Sequence, residues 1–448
     1  MLVLLPTLIL LAAVVAVLLR IFVIDKLQIK NVEDKVVLVT GSAGGFGRKF
    51  VAKCLESGMT VLAGCRTKES AEKLLEECKG MKGHLCAFQM DISSEESVMT
   101  AKDYVVRQLN KINKDLYAIV NNAGIQAQCM FDDFLTLNAY EEAVEVNAYG
   151  PIRVTKLFKD LVKKSKGRII FCTSAVCRFP APGMGPYALS KWALTGYVEV
   201  IRMKTIFRGA EGYITEMAAT VGEELFLRVV DMLDEIMHEL REYSVDVITV
   251  EPGIFCTPLN SVQKMMNSMN DIWARANDSL REEYGEYWLS RGYITEMAAT
   301  VGEELFLRVV DMLDEIMHEL REYSVDVITV EPGIFCTPLN SVQKMMNSMN
   351  DIWARANDSL REEYGEYWLS RGKRVYVDLH DASPSDVTPV SDAYFHAITA
   401  TCPYKNYVVG LDAMLMFRPF SLLPTRLQEL AMKLIEWHYG APKPAIVD

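Results

Sequence analysis

The sequence predicts an α/β fold built on a doubly wound parallel sheet. Three features predict it. Short β-branched runs alternate with helical stretches, a glycine-rich turn follows the first run, and hydrophobic residues make up 50% of the 448, enough for a sizeable core. A single catalytic domain is expected. It follows an N-terminal membrane helix and carries a tandem duplication of 80 residues.

Residues 35–40 (KVVLVT) are a continuous apolar run of the kind that a buried parallel strand needs. A glycine-rich turn and a helix over residues 47–57 follow. Further strands are expected at residues 60–64, 86–90, 117–121 and 168–173, with helical patterns between them and right-handed crossovers.

Residues 213–292 recur word for word as residues 293–372. The repeat reads as a recent tandem duplication or as an assembly error in the gene sequence, being too long and too identical for a solenoid unit. Each copy holds a helical run, a strand (residues 245–250 in the first) and a Met-rich polar segment. One sheet has room for that strand once. The first copy is expected to enter the sheet, which makes the second an insertion in the substrate-covering region, where long loops are tolerated.

The expected organisation is therefore a membrane anchor over residues 1–24 and a dinucleotide-binding catalytic domain over residues 35–260. Residues 261–372 form a substrate lid, and residues 373–448 hold a C-terminal strand. In that last part residues 414–423 are apolar and residues 426–437 have helical periodicity; monotopic membrane docking and core packing both fit.

The formal charge is −12, but each repeat copy carries 15 acids and 6 bases, so the two copies account for more than all of it. The acidity belongs to the repeat and says nothing about partners. No basic stripe of the kind a nucleic-acid surface needs is present. The ten cysteines form no CxxC pair, which argues against a zinc site or a disulfide framework.

Residues 2–19 carry no charge, and after Arg20 comes another apolar run over residues 21–24. A bilayer-spanning helix takes about 20 such residues. A cleaved signal peptide would want a basic start and a small-residue cleavage site, so an uncleaved anchor is the preferred reading. Arg20, Lys26 and Lys30 follow the span, which by the positive-inside bias puts the enzyme domain in the cytosol.

The turn after the first strand runs Thr40, Gly41, Ser42, Ala43, Gly44, Gly45, Phe46, Gly47. Glycines at 41, 45 and 47 allow a tight turn and let backbone approach a pyrophosphate, while the next helix aims its first N–H groups at the phosphates. An acid at the end of the second strand would bond the ribose of NAD, and an arginine would suit the extra phosphate of NADP. Arg66 stands there and leans toward NADP, or is a solvated surface residue. Asp91 faces the adenine edge, or caps the helix beginning near Ser93.

Tyr187 and Lys191 are four residues apart, which places both on one helix face. A neighbouring ammonium, with the positive ring of an oxidised nicotinamide, favours the phenolate and lowers the phenol pKa. Tyrosine can then act as general base toward an alcohol or general acid toward a ketone. Ser174 ends the fifth strand, where its hydroxyl can hold a substrate oxygen. Asn147, on the preceding helix, can hold a water linking Lys191 to solvent.

In this order the glycine turn, Asn121-Asn122-Ala123-Gly124, Asn147, Ser174, Tyr187 and Lys191 resemble the short-chain dehydrogenase/reductase family, from about residue 35 to residue 191. The likeness resumes at Glu251-Pro252-Gly253 and Thr257. The resemblance implies that Tyr187 is the acid/base, Lys191 holds the ribose and tunes Tyr187, and Ser174 orients the substrate. It makes Asn147 part of a proton relay, Asn122 a brace of the central strand, and Pro252, Gly253 and Thr257 neighbours of the nicotinamide. Gly45-Phe46-Gly47-Arg48, Ile272-Trp273-Ala274-Arg275 and residues 407–424 are similar to the retinol and hydroxysteroid dehydrogenase branch.

That branch implies a membrane enzyme, in the endoplasmic reticulum, that interconverts an alcohol and a ketone or aldehyde on an apolar retinoid or steroid, as a homodimer or tetramer. Its members mostly prefer NAD, against the leaning of Arg66, so the cofactor is NAD or NADP, with no metal. Two alternatives stay open: a catalytically inactive nucleotide-binding membrane protein, and a short hydroxy-acid dehydrogenase of the 3-hydroxybutyrate type.

Overall fold

The computed structural model describes residues 20, 23–179, 181–210 and 325–439. All but the end of one helix lie in one compact unit, Met1–Thr205 with Tyr323–Asp448. Seven parallel strands form one sheet in the order β3-β2-β1-β4-β5-β6-β7. They are β1 (Val36–Thr40), β2 (Thr60–Cys65), β3 (His84–Gln89), β4 (Leu116–Asn121), β5 (Arg168–Cys172), β6 (Asp326–Pro332) and β7 (Asn406–Val409). The order turns back on itself between β1 and β4, the crevice where open α/β sheets bind ligands.

Helices cover both faces: α1 (Gly45–Glu56), α2 (Lys68–Glu77), α3 (Glu95–Ile112), α4 (Leu137–Val144), α5 (Gly150–Lys164) and α6 (Gly185–Ala210) come before β6. After it come α7 (Val342–Arg355), α8 (Asp358–Ala382) and α9 (Thr388–Thr399), then, past β7, α10 (Arg418–Ser421) and α11 (Thr425–Tyr439).

β1, β2, β4 and β5 are buried along their whole length, as strands covered on both faces must be. Alternation then sorts their side chains. Val37, Val39, Val61 and Val120 join Phe50 and Leu55 of α1 and Tyr394 of α9 in one core layer. Val36, Leu38, Leu62 and Ile119 join Val105 of α3 and Phe158 of α5 in the other.

The strand beside β5 corrects one expectation. Ile169 registers with Val327 and Ile170 with Ile328, so the sheet is completed by the second repeat copy, not the first. The first copy lies outside the described residues. The boundaries of the repeat supply a physical reason. α8 runs through the junction between Gly372 and Lys373, so seating the first copy would interrupt that helix with 80 extra residues. The other boundary, residue 213, lies outside the described residues.

No helix among the described residues is long and apolar enough to cross a membrane. The expected anchor, up to residue 19, lies outside them.

Candidate active site

The site is assembled at the C-terminal ends of β1, β4, β5 and β6. After β1 the chain turns through Gly41, whose φ of 65° favours glycine and where a Cβ would stand 2.8 Å from the Cα of Ala123. A Cβ on Gly47 would stand 2.4 Å from the Gly41 carbonyl oxygen and 2.5 Å from Asn122 Nδ2. The turn thus tolerates no side chain at either position. Gly44 caps α1 and no side chain satisfies the first N–H groups of that helix. Such a bare helix start fits a pyrophosphate. Ser42 is buried and donates to the Val39 carbonyl at 2.8 Å, holding the turn rather than facing a ligand. Phe46 packs edge-on against Phe335, with ring centroids 5.7 Å apart.

Asn122 braces the turn from β4. Its Nδ2 donates to the carbonyls of Thr40 and Gly41 at 3.0 and 3.1 Å. Its Oδ1 accepts from the hydroxyl of Tyr394 at 3.3 Å. Burial drives the Tyr394 phenol well above its ordinary pKa, so it stays a neutral donor. Thr40 completes the brace, its hydroxyl accepting from the N–H groups of Asn122 and Ala123 at 3.0 and 2.9 Å. Neither Thr40 nor Tyr394 was singled out by the sequence; Thr40 carried a signal as the residue that opens the glycine turn, and Tyr394 carried none.

Arg66 is exposed just beyond β2. Asp91 Oδ1 accepts from the N–H and hydroxyl of Ser93 at 3.0 and 2.7 Å. Asp91 thus braces the turn ahead of α3 and does not cap the helix, whose N-cap is Ser94, accepting from the N–H of Ser97 at 3.2 Å.

Asn147 is fully buried in a single π-helical turn, Glu145–Tyr149, between α4 and α5. Such turns concentrate at functional sites. Its amide pairs with residue 125 in both directions, Oδ1 accepting at 2.7 Å and Nδ2 donating at 2.9 Å. Nδ2 also donates to Ser190 Oγ at 3.0 Å, one residue before Lys191. A Cβ on Gly124 would stand 3.0 Å from Asn147 Oδ1 and 3.7 Å from Lys191 Nζ. A side chain there would crowd both groups.

Tyr187 and Lys191 stand on α6 as the spacing predicts, with Lys191 Nζ 5.8 Å from the Tyr187 ring centroid. Lys191 is 4% exposed and donates to the Cys172 carbonyl at the end of β5, at 2.9 Å. The phenol is raised above its ordinary value by burial, while the Lys191 ammonium and a hydrogen bond from Ser174 pull it down. The expected lowering by lysine is present, then, but burial outweighs it. Ser174 also accepts from the N–H of Val176 at 3.2 Å and so caps the short 3₁₀ turn Ala175–Cys177.

Pro252, Gly253 and Thr257 lie outside the described residues. Their counterparts in the second copy are Pro332, Gly333 and Thr337. A Cβ on Gly45 would lie 3.7 Å from Thr337 Cβ, which puts the segment after β6 directly over the glycine turn. Gly333 abuts the Asp412 carboxylate, which accepts from the N–H of Ile334 at 2.7 Å.

The short chain dehydrogenase family profile matches residues 35–212. A 3beta-hydroxysteroid dehydrogenase of Caenorhabditis elegans, dhs-16, is 31% identical over 60% of this chain, and the match spans 60% of its own length. Mouse retinol dehydrogenase 16 is 23% identical over 93% of both chains. Among solved structures, a short chain dehydrogenase/reductase from Burkholderia phymatum in complex with NAD covers 90% of this chain and 97% of its own, with a TM-score of 0.50 and 15% identity, which shows the shared fold. Over residues 35–212 the chain is thus similar to the short-chain dehydrogenases, and its relatives include hydroxysteroid and retinol dehydrogenases.

Proposed function

We propose that this chain is a membrane-associated NAD- or NADP-dependent oxidoreductase that interconverts an alcohol and a ketone or aldehyde on an apolar substrate of retinoid or steroid type, with Tyr187 as general acid/base. The observation that carries the reading is the Tyr187 phenol lying between Ser174 and Lys191.

When bound, the nicotinamide dinucleotide supplies the hydride acceptor or donor. In the oxidative direction Ser174 holds the substrate hydroxyl and Tyr187 Oη takes its proton. In the reductive direction Tyr187 returns that proton to the oxygen. Lys191 stabilises the phenolate and, with Asn147 beside it, forms the start of a proton path. Gly41, Gly45, Gly47, Asn122, Pro332, Gly333 and Thr337 would hold the dinucleotide.

Membrane association draws on the apolar leader and on the C-terminal surface. Leu411, Leu415 and Leu422 are 76%, 73% and 80% exposed there. So large an exposed apolar patch marks an interaction surface, and of the two readings of this segment, docking on a bilayer is preferred. On that reading the protein sits in the endoplasmic reticulum membrane with its domain in the cytosol, as a homo-oligomer.

The test is nicotinamide absorbance at 340 nm with retinol or a 3-hydroxysteroid. Turnover with either is expected; tight nucleotide binding without any turnover would favour the inactive-protein alternative. A second measurement concerns pH. The phenolate is the oxidising base, so alcohol oxidation rises with pH through the Tyr187 pKa. Removing the adjacent cation raises that pKa, so Lys191→Met should move the midpoint of kcat/KM to higher pH. An unmoved midpoint would assign the titration to another group.

A further inference from the structure

We infer that Arg178 and Glu331 form a clamp that positions the Ser174 turn, which makes both of them positioning residues for the oxidoreduction proposed above; the inference rests on that reading. Ser174 opens the 3₁₀ turn Ala175–Cys177 and Arg178 closes it, its N–H donating to the Ala175 carbonyl at 2.8 Å. Glu331 lies near the end of β6, 2% exposed. Its carboxylate accepts from Arg178 Nε and Nη2 at 3.2 and 2.9 Å, and from Asn406 Nδ2 of β7 at 2.9 Å.

A buried carboxylate is costly unless it is paired and hydrogen-bonded, and a guanidinium fork satisfies both oxygens in one fixed geometry. The Arg178 side chain is 38% exposed against 3% for Glu331, so the carboxylate is the partner that depends on the pair. The clamp therefore fixes where the serine turn ends. The same turn is pinned from the other side. Cys177 Sγ lies 3.5 Å from Thr195 Oγ1, which donates to the Lys191 carbonyl at 2.9 Å. Ser174 thus starts a turn held between β6 and the helix that carries Tyr187 and Lys191. Glu331 directly precedes Pro332 and Gly333, so the one carboxylate couples the substrate-holding turn to the segment over the glycine turn.

A misplacement of about 1 Å in a reacting geometry can cost about a hundredfold in rate. Arg178→Lys keeps the charge but loses the fork, and Glu331→Gln keeps the shape but loses the charge. Each is expected to lower kcat by about tenfold to a hundredfold, with KM for the alcohol changed less than about threefold. The double variant should be no worse than the poorer single, because both changes break one link. The pH midpoint of oxidation should move up in each, as the serine bond to the phenol loosens.

Amide hydrogen exchange gives a readout free of turnover. Exchange over residues 174–178 should quicken by about tenfold or more in either variant, while α1 is unaffected. Unchanged exchange in that turn, or rate losses that multiply in the double variant, would overturn the clamp. Should the parent protein bind nucleotide and turn over no alcohol or ketone, the proposed function falls, and the exchange data still judge the clamp. If Glu331→Gln fails to fold, Arg178→Lys carries the same measurements.

Discussion

Tyr187→Phe is expected to reduce kcat by about a thousandfold, the middle of the range for a general acid/base, or about 4 kcal/mol of barrier. Phenylalanine keeps the half-buried ring in its place on α6 and removes only the hydroxyl. On the proposed reading the nucleotide is held elsewhere, by the glycine turn, Asn122 and the Thr337 segment, so its affinity should change less than about twofold. Isothermal titration with the dinucleotide, next to single-turnover kinetics with the alcohol, separates the two quantities. A variant that still reduced its ketone at the parent rate would remove Tyr187 from the chemistry.

The second large effect separates the two identical segments. Deleting either one leaves the same shortened chain, so deletion cannot tell which of them builds the sheet. Point substitution can. Val330 is fully buried in β6 and registers with Cys172 of β5. Val330→Asp puts an unpaired carboxylate there and should destabilise the fold by about 4 kcal/mol or more. The same change at Val250, its twin in the first copy, should leave the melting temperature within about 2 °C of the parent, because the sheet position is already filled. Equal losses at the two positions, or a greater loss at Val250, would reverse the assignment.

Much of this architecture was legible from local chemistry. β1 to β5 lie within two residues of the expected bounds because buried parallel strands announce themselves as apolar runs. Tyr187 and Lys191 were legible because four residues on a helix bring side chains together. The choice between Val250 and Val330 was not, since identical words carry identical propensities. Loop closure favours the nearer copy by only about 1 kcal/mol, too little to decide. The continuity of α8 across Gly372 decides instead, and that lies in tertiary context. Glu331 was likewise invisible as a clamp: its partner Arg178 is 153 residues away, and no spacing rule reaches so far.

The bare leucines at the C-terminal end govern how this protein must be handled. Leu427, Leu430 and Leu434 on α11 extend the apolar stretch begun at Leu411, all of them at least 48% exposed. In plain aqueous buffer such a surface drives colloidal self-association, so light scattering will grow with concentration unless a mild non-ionic surfactant occupies the leucines. Rates gathered in different surfactants would then compare micelles as much as enzymes.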